Sequence, residues 1–442
     1  MTKFVKCLCF KIIAFAVVIA SACSSDDKAR TTGAAVRASG ILPVQIVTTP
    51  TGYQLLRGGK PYFIKGAAGL QYFNEVRLAG GNSVRLWSTD YAEPLLEEAQ
   101  RQGLTVTLGL WMPHNRSGFD YHDQKSVAKL MENLREEVIK YRNSPALLMW
   151  SLGNELNMHI VDPNVYQVVN EAARMIHELD PFHPVTTILD SSLNLADAVR
   201  IMSPEIDLLS VNTFGGLRTL PQDLQRFKWT KPYIVTEFGA KGYWESDSTA
   251  WGAPLEQTST EKAVFLQERY QESILADSTH CLGSYIFYWG QKNEMTPTWF
   301  SLTNAVGEKT QAIDVMYKLW SHQPAPNAAP QIRLFELAGK SKAKKLLLQA
   351  NETYSAQAVA FDPDGDSLTT RWEILPEGTT RYTVSVGDDS PLEPVPGSIK
   401  QVRGIRTQIR MPSTAGYYRL YVTVSDGHGS VATANQPFRC YE

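Results

Sequence analysis

Cysteine is scarce in this chain. There are five in 442 residues, and three of them, Cys7, Cys9 and Cys23, fall within the first 23 positions. Only Cys281 and Cys440 remain for the body of the protein, so neither a disulfide framework nor a zinc site is indicated. An excess of one charge is missing too. Lys and Arg number 43 against 45 Asp and Glu, for a net charge of −2, which excludes the basic footprint of a nucleic-acid-binding protein. No long internal repeat stands out, and biased composition is confined to two linkers. What remains is ordinary globular material, 43% hydrophobic and 20% charged, long enough for two domains.

The N-terminus reads as a targeting segment. Lys3, Lys6 and Lys11 precede or flank an apolar stretch, Phe10 to Ala22, which ends in Ala20-Ser21-Ala22-Cys23. The stretch is too short to span a bilayer as a mature helix and predicts a signal peptide over 1–22. Cys23 after small residues resembles a bacterial lipobox, which makes it the expected lipidation site. Residues 23–42 then read as a lipidated tether, polar at Ser24-Ser25-Asp26-Asp27. The expectation is a chain anchored through Cys23 to a membrane of the cell envelope, with Ser24 favouring the outer membrane if the source is Gram-negative; the alternative is simple secretion with Cys23 removed.

Between 43 and 322, apolar runs alternate with amphipathic segments. Candidate strands are 62–66, 83–87, 104–110, 147–151, 185–189, 208–212, 233–237 and 283–289, with helices expected at 92–102, 125–142, 163–179 and 260–275. Eight strands alternating with helices predict an α/β fold, a (β/α)₈ TIM barrel. Pro- and Ala-rich residues 323–330 form a linker. From 331 to 442 short alternating runs with turn residues predict a smaller all-β, immunoglobulin-like sandwich. Its Asp362-Pro363-Asp364-Gly365-Asp366 run reads as a turn, with calcium an open alternative.

Two glutamates carry the chemistry. Glu155 closes Trp150-Ser151-Leu152-Gly153-Asn154-Glu155, after the fourth strand, and Glu237 closes Tyr233-Ile234-Val235-Thr236-Glu237, the seventh. Functional residues of such barrels cluster where strands end. Two carboxylates placed there can cleave a glycosidic bond, one as proton donor and one as nucleophile. A carboxylate in a strand buried on both sides needs a partner. Arg85, at the end of the second strand, is the natural one, and a guanidinium favours the ionised form. Asn212 ends the sixth strand and is expected to line the site with Trp87. His114 follows the third strand in a loop facing the site and is a candidate subsite contact. Trp244, Trp251 and Trp299 follow strands seven and eight, where stacking on sugar and ordinary packing are equally open.

These residues also carry a family resemblance. Trp-Ser-Leu-Gly-Asn-Glu at 150–155, Val-Thr-Glu-Phe-Gly at 235–239 and Gly-Asn-Ser-Val-Arg at 81–85 resemble the catalytic barrel of family 2 glycoside hydrolases. More broadly they are similar to the clan of retaining glycosidases that includes family 5. The resemblance spans about residues 50–322. It implies Glu155 as acid/base, Glu237 as nucleophile, Asn154 on the sugar 2-hydroxyl, Arg85 holding the nucleophile, and Trp289 as the aromatic floor at the cleavage point. Such members usually carry a tyrosine after strand six that hydrogen-bonds the nucleophile. Here Phe214 stands in that place, so either another group such as Tyr243 or Tyr288 supplies the hydroxyl or the nucleophile is tuned differently.

The expected activity is a retaining β-glycoside hydrolase without cofactor or metal, acting on a β-linked saccharide. β-Glucan is the lean, because the jelly-roll and sandwich domains that precede such barrels have no counterpart here and because the barrel is similar to β-1,3-glucan transglycosylases. Transglycosylation by the same residues and a non-catalytic glycan-binding lipoprotein are the alternatives.

Overall fold

The computed structural model describes residues 41–158, 162–377 and 392–442. The signal peptide and Cys23 lie outside the described residues. Every element below belongs to one unit, Leu42–Glu442. Among the described residues, no helix is long and apolar enough to cross a membrane.

An antiparallel sheet comes first, formed by β1 (Val44–Thr49), β2 (Gly52–Arg57) and β3 (Lys60–Pro61). The expected hairpin at Arg57–Lys60 is present, but its second arm stops at Pro61. Lys60 and Pro61 pair with Arg57 and Leu56, and the barrel begins only at Ile64. The eight parallel strands are β4 (Ile64–Ala68), β5 (Ser83–Leu86), β6 (Thr105–Leu110), β7 (Leu147–Leu152), β8 (Val185–Asp190), β9 (Leu208–Asn212), β10 (Tyr233–Phe238) and β11 (Cys281–Phe287). They close on themselves, with β11 pairing back to β4. Strands β5, β6, β7, β9, β10 and β11 are buried at every position, because helices cover their outer faces and side chains fill the interior. This is why their sequences are nearly continuous apolar runs. The interior is anchored by Tyr285, whose hydroxyl lies 2.9 Å from Ser83 Oγ and 2.6 Å from Thr107 Oγ1.

The main covering helices match expectation. Helix Gln124–Tyr141 is capped by the Asp123 side chain, which accepts from Lys125 N. Helix Val165–Leu179 buries a broad stripe that includes Val165, Val169, Ala172 and Ile176. Helix Ser259–Arg269 opens with a capping box of Thr258 and Glu261, and continues as a π-helical turn, Tyr270–Leu275. Four further helices were not expected: Phe73–Leu78, Ala196–Met202, Leu220–Arg226 and Gln311–Ser321.

After the linker comes an all-β sandwich. One sheet is β12 (Gln331–Leu337), β14 (Thr353–Phe361) and β17 (Arg406–Arg410); the other orders β13 (Leu347–Gln349), β19 (Val431–Tyr441), β18 (Gly416–Ser425), β15 (Thr369–Pro376) and β16 (Lys400–Arg403). Phe335 and Trp372, one from each sheet, stack at 6.0 Å in its core. The sandwich docks on the barrel through buried charge. Asn435 Nδ2 donates to Glu256 Oε2 at 2.6 Å, Lys262 Nζ to Glu256 Oε1 at 2.5 Å, and Arg419 Nη2 to Pro254 O at 3.0 Å. These charges are paired and hydrogen-bonded, the condition under which burial is tolerated.

The barrel interior gives a direct test of close packing. A Cβ on Gly66 would come within 2.2 Å of Tyr285 Cδ1 and 2.9 Å of Ser284 O. Gly66→Ala is expected to destabilise the fold by about 1–3 kcal/mol through overpacking, read as a lower urea midpoint at unchanged m-value.

Candidate active site

The site lies where the barrel strands end and is built around Arg85. Its guanidinium is fully buried on β5. Arg85 Nη1 donates to Glu237 Oε1 at 2.5 Å and to Thr236 O at 3.1 Å, while Nη2 donates to Asn154 Oδ1 at 2.6 Å. One cation thus ties the end of β10 to the turn after β7. Glu237 Oε1 also accepts from the Trp87 indole Nε1 at 2.8 Å. Both donors use the same oxygen. Among the described residues, Oε2 of Glu237 is left with no donor.

Glu155 is presented differently. After β7 the chain turns at Gly153, with φ +67°, and Glu155 itself is left-handed, with φ +50°. Glycine is required at 153, because a Cβ there would lie 2.6 Å from Leu156 Cδ1. The turn brings Glu155 to Asn212, whose Nδ2 lies 3.0 Å from Glu155 Oε1 and 3.2 Å from Asn154 Oδ1. Asn212 is oriented in turn by Thr236 Oγ1, which donates to its Oδ1 at 2.8 Å. Burial pushes the Glu155 carboxyl up to about 8, the negative charge of Glu237 adds to this, and the bond from Asn212 opposes it. The two carboxyls therefore share one network, Glu237–Arg85–Asn154–Asn212–Glu155. Asn154 accepts both of its contacts on Oδ1, which leaves its Nδ2 donor for a ligand.

The sequence placed Glu155, Glu237, Arg85, Asn154, Asn212 and Trp87 together, and the structure brings them together. His114 is in the wall rather than on the surface. It is buried beside the Asn154 backbone, and burial and Arg116 lower its pKa. Trp289 needs correction. It is fully buried, and its ring stacks on Trp320 at 5.9 Å and 19°, under helix Gln311–Ser321. It cannot floor a sugar site. The aromatic pair beside Glu237 is instead Trp87 and Tyr288, stacked at 5.8 Å and 22°. The hydroxyl expected on the nucleophile is also replaced, because the Trp87 indole makes that bond. Phe214 packs instead against Phe287, Phe300 and Trp244. Trp299 is core, whereas Trp244 is 53% exposed.

Sequence reading missed Glu245. Its carboxylate accepts from the backbone N–H of Gly215, Gly216 and Gly242 at 2.8, 3.2 and 2.9 Å, clamping the loops after β9 and β10 together. No local sequence signal marks it. Away from this site, Asp362, Asp366 and Asp426 each bring a carboxylate oxygen within 4.8 Å of the others, a group that could hold a metal ion.

Comparison with known proteins fits this geometry. Residues 74–291 match the model of glycosyl hydrolases family 2, TIM barrel domain. The barrel is a family 2 glycoside hydrolase catalytic barrel. Human β-glucuronidase is 27% identical over 235 residues, covering 45% of this chain and 34% of that protein. β-Glucuronidase of Paenibacillus borealis is 27% identical over 233 residues, covering 47% and 36%. The chain therefore matches only about a third of the length of these relatives. Among solved structures, β-D-glucuronidase of Dictyoglomus thermophilum superposes with a TM-score of 0.51 at 20% identity, over 64% of this chain and 54% of that one. Bacteroides uniformis β-glucuronidase 2, solved covalently bound to cyclophellitol-6-carboxylate aziridine, gives 0.50 at 15% identity over 90% and 48%. At such identities the likeness of these structures is one of fold.

The raised Glu155 carboxyl links stability to pH. The folded family 2 barrel holds a proton that the unfolded chain releases near 4.5. Its stabilising contribution is fully present below about 4.5 and is lost as pH rises through about 8. Glu155→Gln is expected to gain on the order of 2–4 kcal/mol relative to the unmutated protein between pH 5 and pH 9, measured by urea unfolding at each pH.

Proposed function

We propose that the chain is a retaining β-glycoside hydrolase. One observation carries this reading: the two carboxyls at the barrel mouth have opposite surroundings, Glu237 paired with Arg85 and Trp87, Glu155 buried and raised. Double displacement needs that division of labour. Glu237 Oε2, the oxygen without a donor among the described residues, attacks the anomeric carbon. The bond from that carbon to the leaving oxygen breaks, and Glu155 gives the leaving oxygen its proton. Water then loses a proton to Glu155 and adds its oxygen to the anomeric carbon, releasing Glu237. Asn154 Nδ2 is placed to hold a sugar hydroxyl through both steps.

For the substrate, the relatives support a β-glucuronide ahead of the β-glucan that the open barrel favoured. A panel of aryl β-glycosides, glucuronide and glucoside included, decides between them. Glu237→Gln is expected to abolish turnover. Glu155→Gln is expected to lower kcat/KM by about 10²–10⁴ on substrates with poor leaving groups and to erase the basic limb expected of the unmutated protein near pH 8. An α-configured first product, seen by NMR, would contradict retention.

We further propose that Cys23 carries the lipid that holds the protein at the cell envelope, supported by the small residues before it and the polar tether after it. Cys23→Ser is expected to move the protein from the detergent phase to the aqueous phase on Triton X-114 partitioning. Unchanged partitioning rules out the anchor.

A further inference from the structure

A cavity of about 480 Å³ opens between the ends of β5 and β6 and helix Gln124–Tyr141. It falls in the size range of small-molecule sites. Its construction is amphipathic. The helix contributes Ser126, Lys129, Leu130, Asn133, Leu134 and Glu137. Their spacing, three and four apart, puts them on one face. Leu130 and Leu134 are buried and form a floor, while Lys129 and Asn133 stand exposed at the edge. Opposite them is Trp111, 43% exposed although it sits between the buried Leu110 and Met112. Phe119 and Pro113 complete the apolar wall.

One side chain links the pocket wall to the catalytic residues. The Trp111 ring lies 6.2 Å from His114, and His114 adjoins the Asn154 backbone. It also lies on Glu155's side, because Trp111 directly follows β6, which pairs with β7, and the acid turn follows β7. Glu155 protonates the leaving oxygen in the mechanism above, so a pocket on this side takes part of the leaving group.

We propose that this pocket is an accessory subsite for a neutral pyranose unit of the leaving group, with Trp111 as its stacking platform. The inference rests on the glycosidase reading of the neighbouring site. Three features select a sugar. A flat aromatic surface meets the C–H face of a pyranose, an apolar contact. Lys129 and Asn133 donate to hydroxyls, and Glu137, Ser126 and the Asn133 carbonyl accept from them. One cation and one carboxylate give no net charge, which disfavours phosphate, and the polar edge disfavours an acyl chain. The enzyme so equipped prefers β-linked oligosaccharides to substrates with a small leaving group.

Two readouts test it. The first is kinetic, on an aryl β-glycoside and on the tetrasaccharide with the same glycone. Trp111→Ala and Asn133→Ala are expected to lower the ratio of kcat/KM on tetrasaccharide to kcat/KM on aryl glycoside by about tenfold, mainly through KM, and Trp111→Phe to restore most of it. The second needs no turnover. Titrations of Glu237→Gln with laminaritetraose, cellotetraose and a glucuronate-terminated tetrasaccharide are followed by NMR, with and without Trp111→Ala. Binding of at least one, weakened about tenfold by Trp111→Ala, supports the subsite even if aryl glycosides are not cleaved and the glycosidase reading fails. An unchanged ratio in the two substitutions, or no tetrasaccharide binding at all, overturns it.

Discussion

The site hangs on a guanidinium with no access to water. Arg85 reaches the Glu237 carboxylate with one nitrogen and the Asn154 amide with another, and its Cζ lies 4.9 Å from the centre of the Trp87 ring. Taking such a charge out of water costs several kcal/mol unless geometry and additional hydrogen bonds offset it. Here the offset comes from residues at the ends of three strands, so the barrel must close correctly before the charge is tolerated. Packing that completes the fold is therefore the same packing that aligns the chemistry. Among the described residues the Nε of Arg85 is buried without a partner, a local cost carried at the functional centre.

From that one cation the two carboxyls acquire different characters. Glu237 has its charge compensated and one oxygen pinned by two donors, which fixes its orientation and, among the described residues, leaves the other oxygen without a donor. Among the described residues, Glu155 has no cation in contact. It meets an amide, a burial penalty and the field of Glu237, and all but the amide favour the protonated form. Asn212 touches Glu155 and Asn154 and is held by Thr236, the residue before Glu237. A disturbance at either carboxyl is thus felt at the other through short, directional bonds.

Much of this was legible in the sequence because parallel barrel strands are buried on both faces. Runs such as Leu147–Leu152 and Tyr233–Phe238 are apolar for that reason, and a Glu or Arg at their ends stands out. Partners across space were not legible. Trp289 follows β11 as a floor residue should, but its ring turns away to Trp320 on a helix that sequence reading did not identify. That helix did carry a signal, since Ile313, Met316, Tyr317 and Trp320 recur at helical spacing and are all buried. Phe73–Leu78, Ala196–Met202 and Leu220–Arg226 span six or seven residues, too few for periodicity to register. Glu245 was invisible because its partners are backbone N–H groups on two loops. The indole of Trp87 as a donor to Glu237 depends on strand order around the barrel, which no local pattern encodes.

The claim that organises all of this is that Glu237, held by Arg85 and Trp87, forms the covalent bond to the sugar. It is tested most directly by peptide mass spectrometry after incubation with an activated 2-deoxy-2-fluoro β-glycoside of the preferred glycone, which slows release of the intermediate. The account predicts one added fluorosugar, located on Glu237 and absent from Glu237→Gln. A label on Glu155, or brisk turnover of the unfluorinated substrate with no label on Glu237, would contradict it.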